Sequence, residues 1–135
     1  MTTQLAGIVI AAMTLLPAPV MAQGQEDAAL ERYFQEYLDA WFAEEPLTAT
    51  RLGDHRFDDR LEDLSAESRS RWIERDRRFL AELPRRVDFD ALSRDGQIDF
   101  EIFRHHLEYA IWLAEHFRPF EEDPRTYLGY TTEGV

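Results

Sequence analysis

Between Asp27 and Glu45 the apolar side chains fall at Leu30, Tyr33, Phe34, Tyr37, Leu38, Trp41 and Phe42. Intervals of three and four place them on one face of a helix. A stripe this rich in rings has a large area to bury, and such stripes are core far more often than they are cofactor boxes. No part of the chain shows the alternate-residue pattern of a half-buried strand, and no repeat or low-complexity segment occurs. The expected fold is all-α, with amphipathic helices covering one another's apolar faces.

Local signals divide the rest of the chain. Pro46 suits the first turn of a short helix, Pro46 to Leu52, and Gly53 is placed to end it in the left-handed conformation. Ser65 is a good N-cap for a third helix, with Glu67 in its first turn where a negative charge meets the helix dipole. Its buried stripe is Trp72, Ile73, Phe79, Leu80 and Leu83. Asp76, among Arg75, Arg77 and Arg78, reads as a salt bridge at the rim of the core, and Pro84 closes the helix. After a loop from Arg85 to Leu92, Ser93 caps a long helix from about Arg94 to Phe117. Its apolar positions are Ile98, Ile102, Phe103, Leu107, Ala110, Ile111, Ala114 and Phe117. Beyond it, Arg118 to Val135 carries two prolines and two glycines together with Tyr127, Leu128 and Tyr130, with no further element to receive those groups.

The N-terminus belongs to a different category. Leu5 to Ala22 is almost wholly apolar and ends in Val20-Met21-Ala22, small residues at the third and first positions before a cut. Residues 1–22 therefore read as a secretory signal peptide, and export to the periplasm or medium is the expected localisation. The prolines at 17 and 19 break a run already short for a bilayer span, so no membrane association is expected after cleavage. Removal of 22 residues leaves 113, enough for one modest domain that buries about two-thirds of its unfolded surface. With no cysteine, packing alone must hold it. The formal charge of −12 argues against nucleic acid and against anionic lipid, both of which need a basic surface.

Two clusters invite a chemical reading. The stretch 44–65 holds Asp54, His55, Asp58, Asp59 and Asp63, but its glycine precedes the acids, so the calcium-loop spacing fails. The plainer reading is that these acids cap local turns while Arg51, Arg56 and Arg60 offset their repulsion. On the long helix, His105-His106-Leu107-Glu108-Tyr109 comes one ligand short of the inverted zinc motif H-x-x-E-H, because Tyr109 stands where the second histidine is needed. Glu101 and His105 are spaced to pair across one turn. His106 and His116 lie about 15 Å apart along the helix, too far to share an ion. Paired Glu-x-x-His units and a nucleophilic elbow are both absent from the sequence. No catalytic, cofactor-binding or metal-binding residue is assigned.

The run from Glu45 to Leu61, EPLTATRLGDHRFDDRL, followed by Asp63-Leu64-Ser65, closely resembles the N-terminal region of the bacterial domain-of-unknown-function 885 family. Leu92-Ser93, Asp99, Phe117-Arg118-Pro119, Asp123-Pro124 and Tyr127 look like its continuation. Pro46, Gly53, Asp54, His55, Asp58, Asp59 and Arg60 are the motif residues, with no role attached. The resemblance implies an all-α protein of several hundred residues, similar to zinc-dependent peptidases or carboxypeptidase-like hydrolases. It also implies an H-E-x-x-H metal motif downstream of every residue here. On that footing residues 23–135 are a helical N-terminal segment, not catalytic alone, without a cofactor of its own. Its partners would be the remainder of its own fold and, through that, a peptide substrate. The alternative is a free-standing acidic helical binding module of the periplasm.

Export supplies a direct test. Mass spectrometry of the exported protein is expected to find Gln23 as its first residue. Intact Met1 on membrane-bound chains would contradict the signal-peptide reading.

Overall fold

The computed structural model describes residues 18–132, and the regular elements among them are all helices, without a strand. The expected leader, residues 1–22, falls mostly outside the described residues. Helix α1 spans Ala18–Glu44, α2 Pro46–Arg51, α3 Ala66–Arg86, α4 Arg94–His116, α5 Pro119–Glu122 and α6 Arg125–Thr132. Short 3-10 turns at His55–Phe57 and Phe89–Ala91 punctuate the connections. No described helix is long and apolar enough to cross a membrane.

The all-α expectation holds, and the caps are where the sequence puts them. Ser65 accepts from the backbone N–H of Ser68 at 3.2 Å, and Ser93 from that of Gly96 at 3.1 Å. Gly53 adopts φ +90°, the left-handed conformation that ends α2. Pro46 opens α2 and is buried.

The core lies where α1, α3 and α4 meet. Leu30, Tyr33, Tyr37, Phe79, Leu83, Val87, Leu92, Phe100 and Leu107 form its buried centre, with Phe34, Trp41, Leu80 and Phe103 packed against it. Rings meet edge to face: Tyr37 lies 5.2 Å from Phe79 and 5.0 Å from Phe103, at 84° and 78°. Tyr33, fully buried, satisfies its hydroxyl by donating to the Phe79 carbonyl at 2.7 Å. Burial pushes that hydroxyl up to about 12, with the charge of Glu82 adding to it.

Several expectations are corrected. Helix α1 begins at Ala18 and not near Asp27, well ahead of the apolar stripe that starts at Leu30. Pro84 lies inside α3, which runs on to Arg86. A proline this close to the C-terminus removes only one helical N–H, and its fixed φ is itself helical; Val87 still donates to the Leu83 carbonyl at 3.1 Å. Trp72 and Ile73 are only partly buried. The residues after Arg118 do form elements: α5 and α6 fold into a hairpin around Phe120, which lies 5.8 Å from Tyr127 and 6.0 Å from Tyr130.

The largest correction concerns α4. Ile98, Ile102 and Phe117, expected in the core, are 43%, 62% and 53% exposed, while Phe100, absent from the expected stripe, is buried against Phe89. The helix has apolar groups on two faces, so periodicity alone could not choose which one turns inward. Its N-terminus settles the choice. Asp27 of α1 accepts from the Ser93 backbone N–H at 3.0 Å, and it sits so close to Gly96 that a Cβ there would collide with its carboxylate. This approach of α1 fixes the rotation of α4, so that Phe100 and Leu107 face the core.

The two faces should respond differently to truncation. In the chain by itself, Leu107→Ala is expected to cost about 2–5 kcal/mol in denaturant unfolding. Ile102→Ala is expected to stay within about 0.5 kcal/mol, like other exposed positions. Equal costs would mean that α4 is turned the wrong way.

Candidate functional site

The acidic stretch after α2 closes on itself. Asp54 accepts from the backbone N–H of Arg56 at 3.1 Å and from its guanidinium at 2.6 to 3.0 Å. Arg56 also reaches back to Asp39 of α1 at 2.7 Å, which ties the turn to the first helix. Asp58 accepts from the Thr50 hydroxyl at 2.6 Å and lies 2.9 Å from Nδ1 of His55. These bonds hold the Asp54 and Asp58 carboxyls below the usual range, the first chiefly through Arg56 and the second chiefly through Thr50. Phe57 lies between the guanidinium groups of Arg56 and Arg60, at 5.3 and 5.5 Å. Asp59 is exposed. The structure thus brings Asp54, His55 and Asp58 together at the surface, as a turn whose acids are occupied by their neighbours.

The histidines of α4 do not converge either. His105 is exposed, and Glu101 pairs with Arg104 at 2.5 Å, not with His105. Arg104 bridges on to Glu108 at 2.8 Å. A guanidinium between two carboxylates makes a stronger pairing than a neutral imidazole offers. His106 points toward Tyr37 and Trp41, its ring 6.4 Å from each, and His116 stacks on Trp112 at 4.7 Å. Among the described residues no group of three His, Asp or Glu side chains is arranged to hold a metal ion. The donors of this segment do not fit the zinc site that the resemblance implies.

The polar centre of the molecule lies one layer deeper. Arg75 of α3 is buried and reaches three carboxylates. Its Nη1 donates to Glu44 at 3.0 Å and Glu45 at 3.1 Å, and its Nε to Asp76 at 3.0 Å. The guanidinium also lies over the Tyr37 ring at 5.6 Å, and the Tyr37 hydroxyl donates to Asp76 at 3.2 Å. Burial opposes the charge on Arg75, but Asp76, Tyr37 and Glu45 outweigh it and leave its pKa raised. Asp76, expected at the rim of the core, is inside it. Burial raises the Tyr37 hydroxyl well above its ordinary value, with Asp76 adding to the effect.

A second carboxylate pair adjoins this network. Burial raises the Glu45 carboxyl in spite of the Trp41 indole and Arg75, both of which hydrogen-bond to it. Glu62, in the linker before α3, is pushed up to about 7 by burial and then by the charge of Glu45. One of its oxygens is satisfied by the Leu47 backbone N–H, while Oε2 is buried with no hydrogen-bond partner. Tyr130 of α6 feels both carboxylates and is itself pushed up to about 12, mainly by burial. Sequence reasoning missed Glu45 and Glu62, since neither stands out among the 27 acids of the chain.

The acidic turn, the linker and the hairpin all fall within one match. A sequence model of the family described as bacterial protein of unknown function (DUF885) matches residues 46–132, from the start of α2 to the end of α6. The chain belongs to the DUF885 family. No curated protein and no solved structure matches it. Helix α1 precedes the matched residues, yet it supplies Glu44 to the Arg75 network and Tyr33 and Tyr37 to the core.

Energetics should separate the surface turn from the buried network. Arg75→Ala leaves buried carboxylates uncompensated and is expected to cost about 3 kcal/mol or more. Gly53→Ala puts a Cβ into a left-handed backbone and should cost about 1 kcal/mol. Asp58→Asn, at the surface, should cost clearly less than Gly53→Ala. The reverse order in thermal or denaturant melts would give the acidic run a structural or ligand-holding role.

Proposed function

We propose that this DUF885 segment is a helical wall of an exported, zinc-dependent peptidase-like hydrolase, and that the metal-binding and catalytic groups lie outside residues 18–132. The outward face of α4 carries this reading. Ile98, Ile102, His105, Tyr109, Trp112 and His116 follow one another at intervals of four and three, the spacing of a seam that packs against another helix. All six are exposed. Tyr109, Trp112 and His116 stack as a ladder of rings, with Tyr109 and Trp112 6.3 Å apart and nearly parallel. A continuous apolar seam of this kind marks a surface built to be covered. The remainder of the same fold is the occupant that the family resemblance implies. In this arrangement the segment shapes the approach to the metal cleft, and the Arg75 network holds the wall rigid at the α1–α2 corner.

The gene itself provides the test. An in-frame continuation past the Val135 codon that reaches an H-E-x-x-H motif is the expected result. A stop codon with no such motif downstream would overturn the proposal and favour the free-standing periplasmic binding module.

A further inference from the structure

Pro46 and Arg60, two of the motif residues to which the sequence attaches no role, line one cavity of about 340 Å³. It lies where the end of α1, the start of α2, the linker and the first turns of α3 come together, and Glu44, Leu61, Asp63 and Arg71 also form its wall. That volume is at the lower end for small-molecule sites.

The two guanidinium groups are loosely engaged. Arg60 reaches the Ala43 carbonyl only at 3.5 Å, and Arg71 reaches Asp63 only at 3.5 Å, both at the limit of hydrogen bonding. Their one firm hydrogen bond goes to a neutral group, the Ser68 hydroxyl, at 3.0 Å from Arg71. Arg56 and Arg125, by contrast, close on their aspartates at 2.6 and 2.8 Å. A guanidinium presents five donors in a planar fork suited to a carboxylate, so Arg60 and Arg71 retain donors for one. The two acids are each half-engaged. Oε2 of Glu44 accepts from Arg75 at 3.0 Å, and Oδ1 of Asp63 from the Ser65 backbone N–H at 3.0 Å, which leaves each carboxylate capacity for a further donor.

Two positive and two negative groups around one cavity select against simple ions. An anion drawn to Arg60 and Arg71 meets Glu44 and Asp63, and a cation drawn to the acids meets the arginines. A small molecule that carries both a carboxylate and an ammonium satisfies the two sets together. Leu61, 93% exposed, and Pro46 add apolar surface that an aliphatic group would remove from water. We infer that this cavity binds a free α-amino acid with an aliphatic side chain. Its carboxylate lies on Arg60 and Arg71, its ammonium on Glu44 and Asp63, and its side chain against Leu61 and Pro46. The site goes beyond the hydrolase reading and does not depend on it, because every group it uses belongs to this chain.

Nuclear magnetic resonance titration of the purified chain with L-leucine tests the site, with N-acetyl-leucine and leucinamide as the forms that lack one charge. L-leucine is expected to shift the backbone amide signals of Leu61, Asp63 and Ser68 saturably, while signals around Leu107 stay in place. Blocking either end should weaken binding about tenfold or more. Arg60→Gln and Arg71→Gln, both at exposed side chains, should each weaken it about tenfold with the helical signal kept. Arg125→Gln, outside the cavity, should leave it unchanged. No saturable shift with L-leucine up to about 20 mM would overturn the inference. So would a blocked form that binds as tightly as L-leucine, or an unchanged affinity in either Arg60→Gln or Arg71→Gln.

Discussion

A single buried guanidinium organises the end of the molecule where the chain turns most sharply. Arg75 holds the last residue of α1, the residue before α2 and its own neighbour on α3, and it covers the ring of Tyr37 from above. Removing an ion from water is costly, and it is tolerated here because most of the donor fork finds a carboxylate or a ring face. The α1–α2 corner cannot move relative to α3 without stranding that charge. Everything downstream of the corner, from the Asp54 turn to the linker that carries Glu62, is hung from this fixed point.

The fold was legible wherever a local rule decides the backbone. Ser65, Ser93 and Gly53 act within three residues of themselves, and each does what its chemistry dictates. The α1 stripe was legible because only one face of that helix is apolar. Pro84 was misjudged because the preference against helix before proline is a bias, and a last helical turn bound to tertiary neighbours overrides it. The rotation of α4 was hidden because it depends on Asp27 meeting Ser93 and Gly96, a contact 66 residues long in sequence. Nothing in the local pattern of Ile98, Phe100 and Ile102 announces which of them will be covered.

Charge density in the sequence pointed to the wrong place for chemistry. The turn from Asp54 to Asp59 is the most conspicuous cluster of ionisable residues in the chain, yet its paired acids are exposed, satisfied and held in the ionised form. Glu45 and Glu62 lie far apart in the sequence, and the charge of one acts on the other only once the chain has folded. What separates the two cases is access to water. A carboxylate at the surface gains from each donor it meets, whereas a half-buried one loses hydration first and gains only what the fold happens to provide.

The same distinction bears on how the segment would serve in the larger hydrolase proposed above. Its outward seam on α4 is apolar and carries histidines, not carboxylates, at its polar positions, so covering it desolvates little charge. The perturbed acids sit at the opposite kind of place, half-buried at the α1–α2 junction and in the linker before α3. A surface meant for permanent burial is cheapest when uncharged. The run of isoleucines and rings along the outward side of α4 is what suits that face to a fixed packing surface.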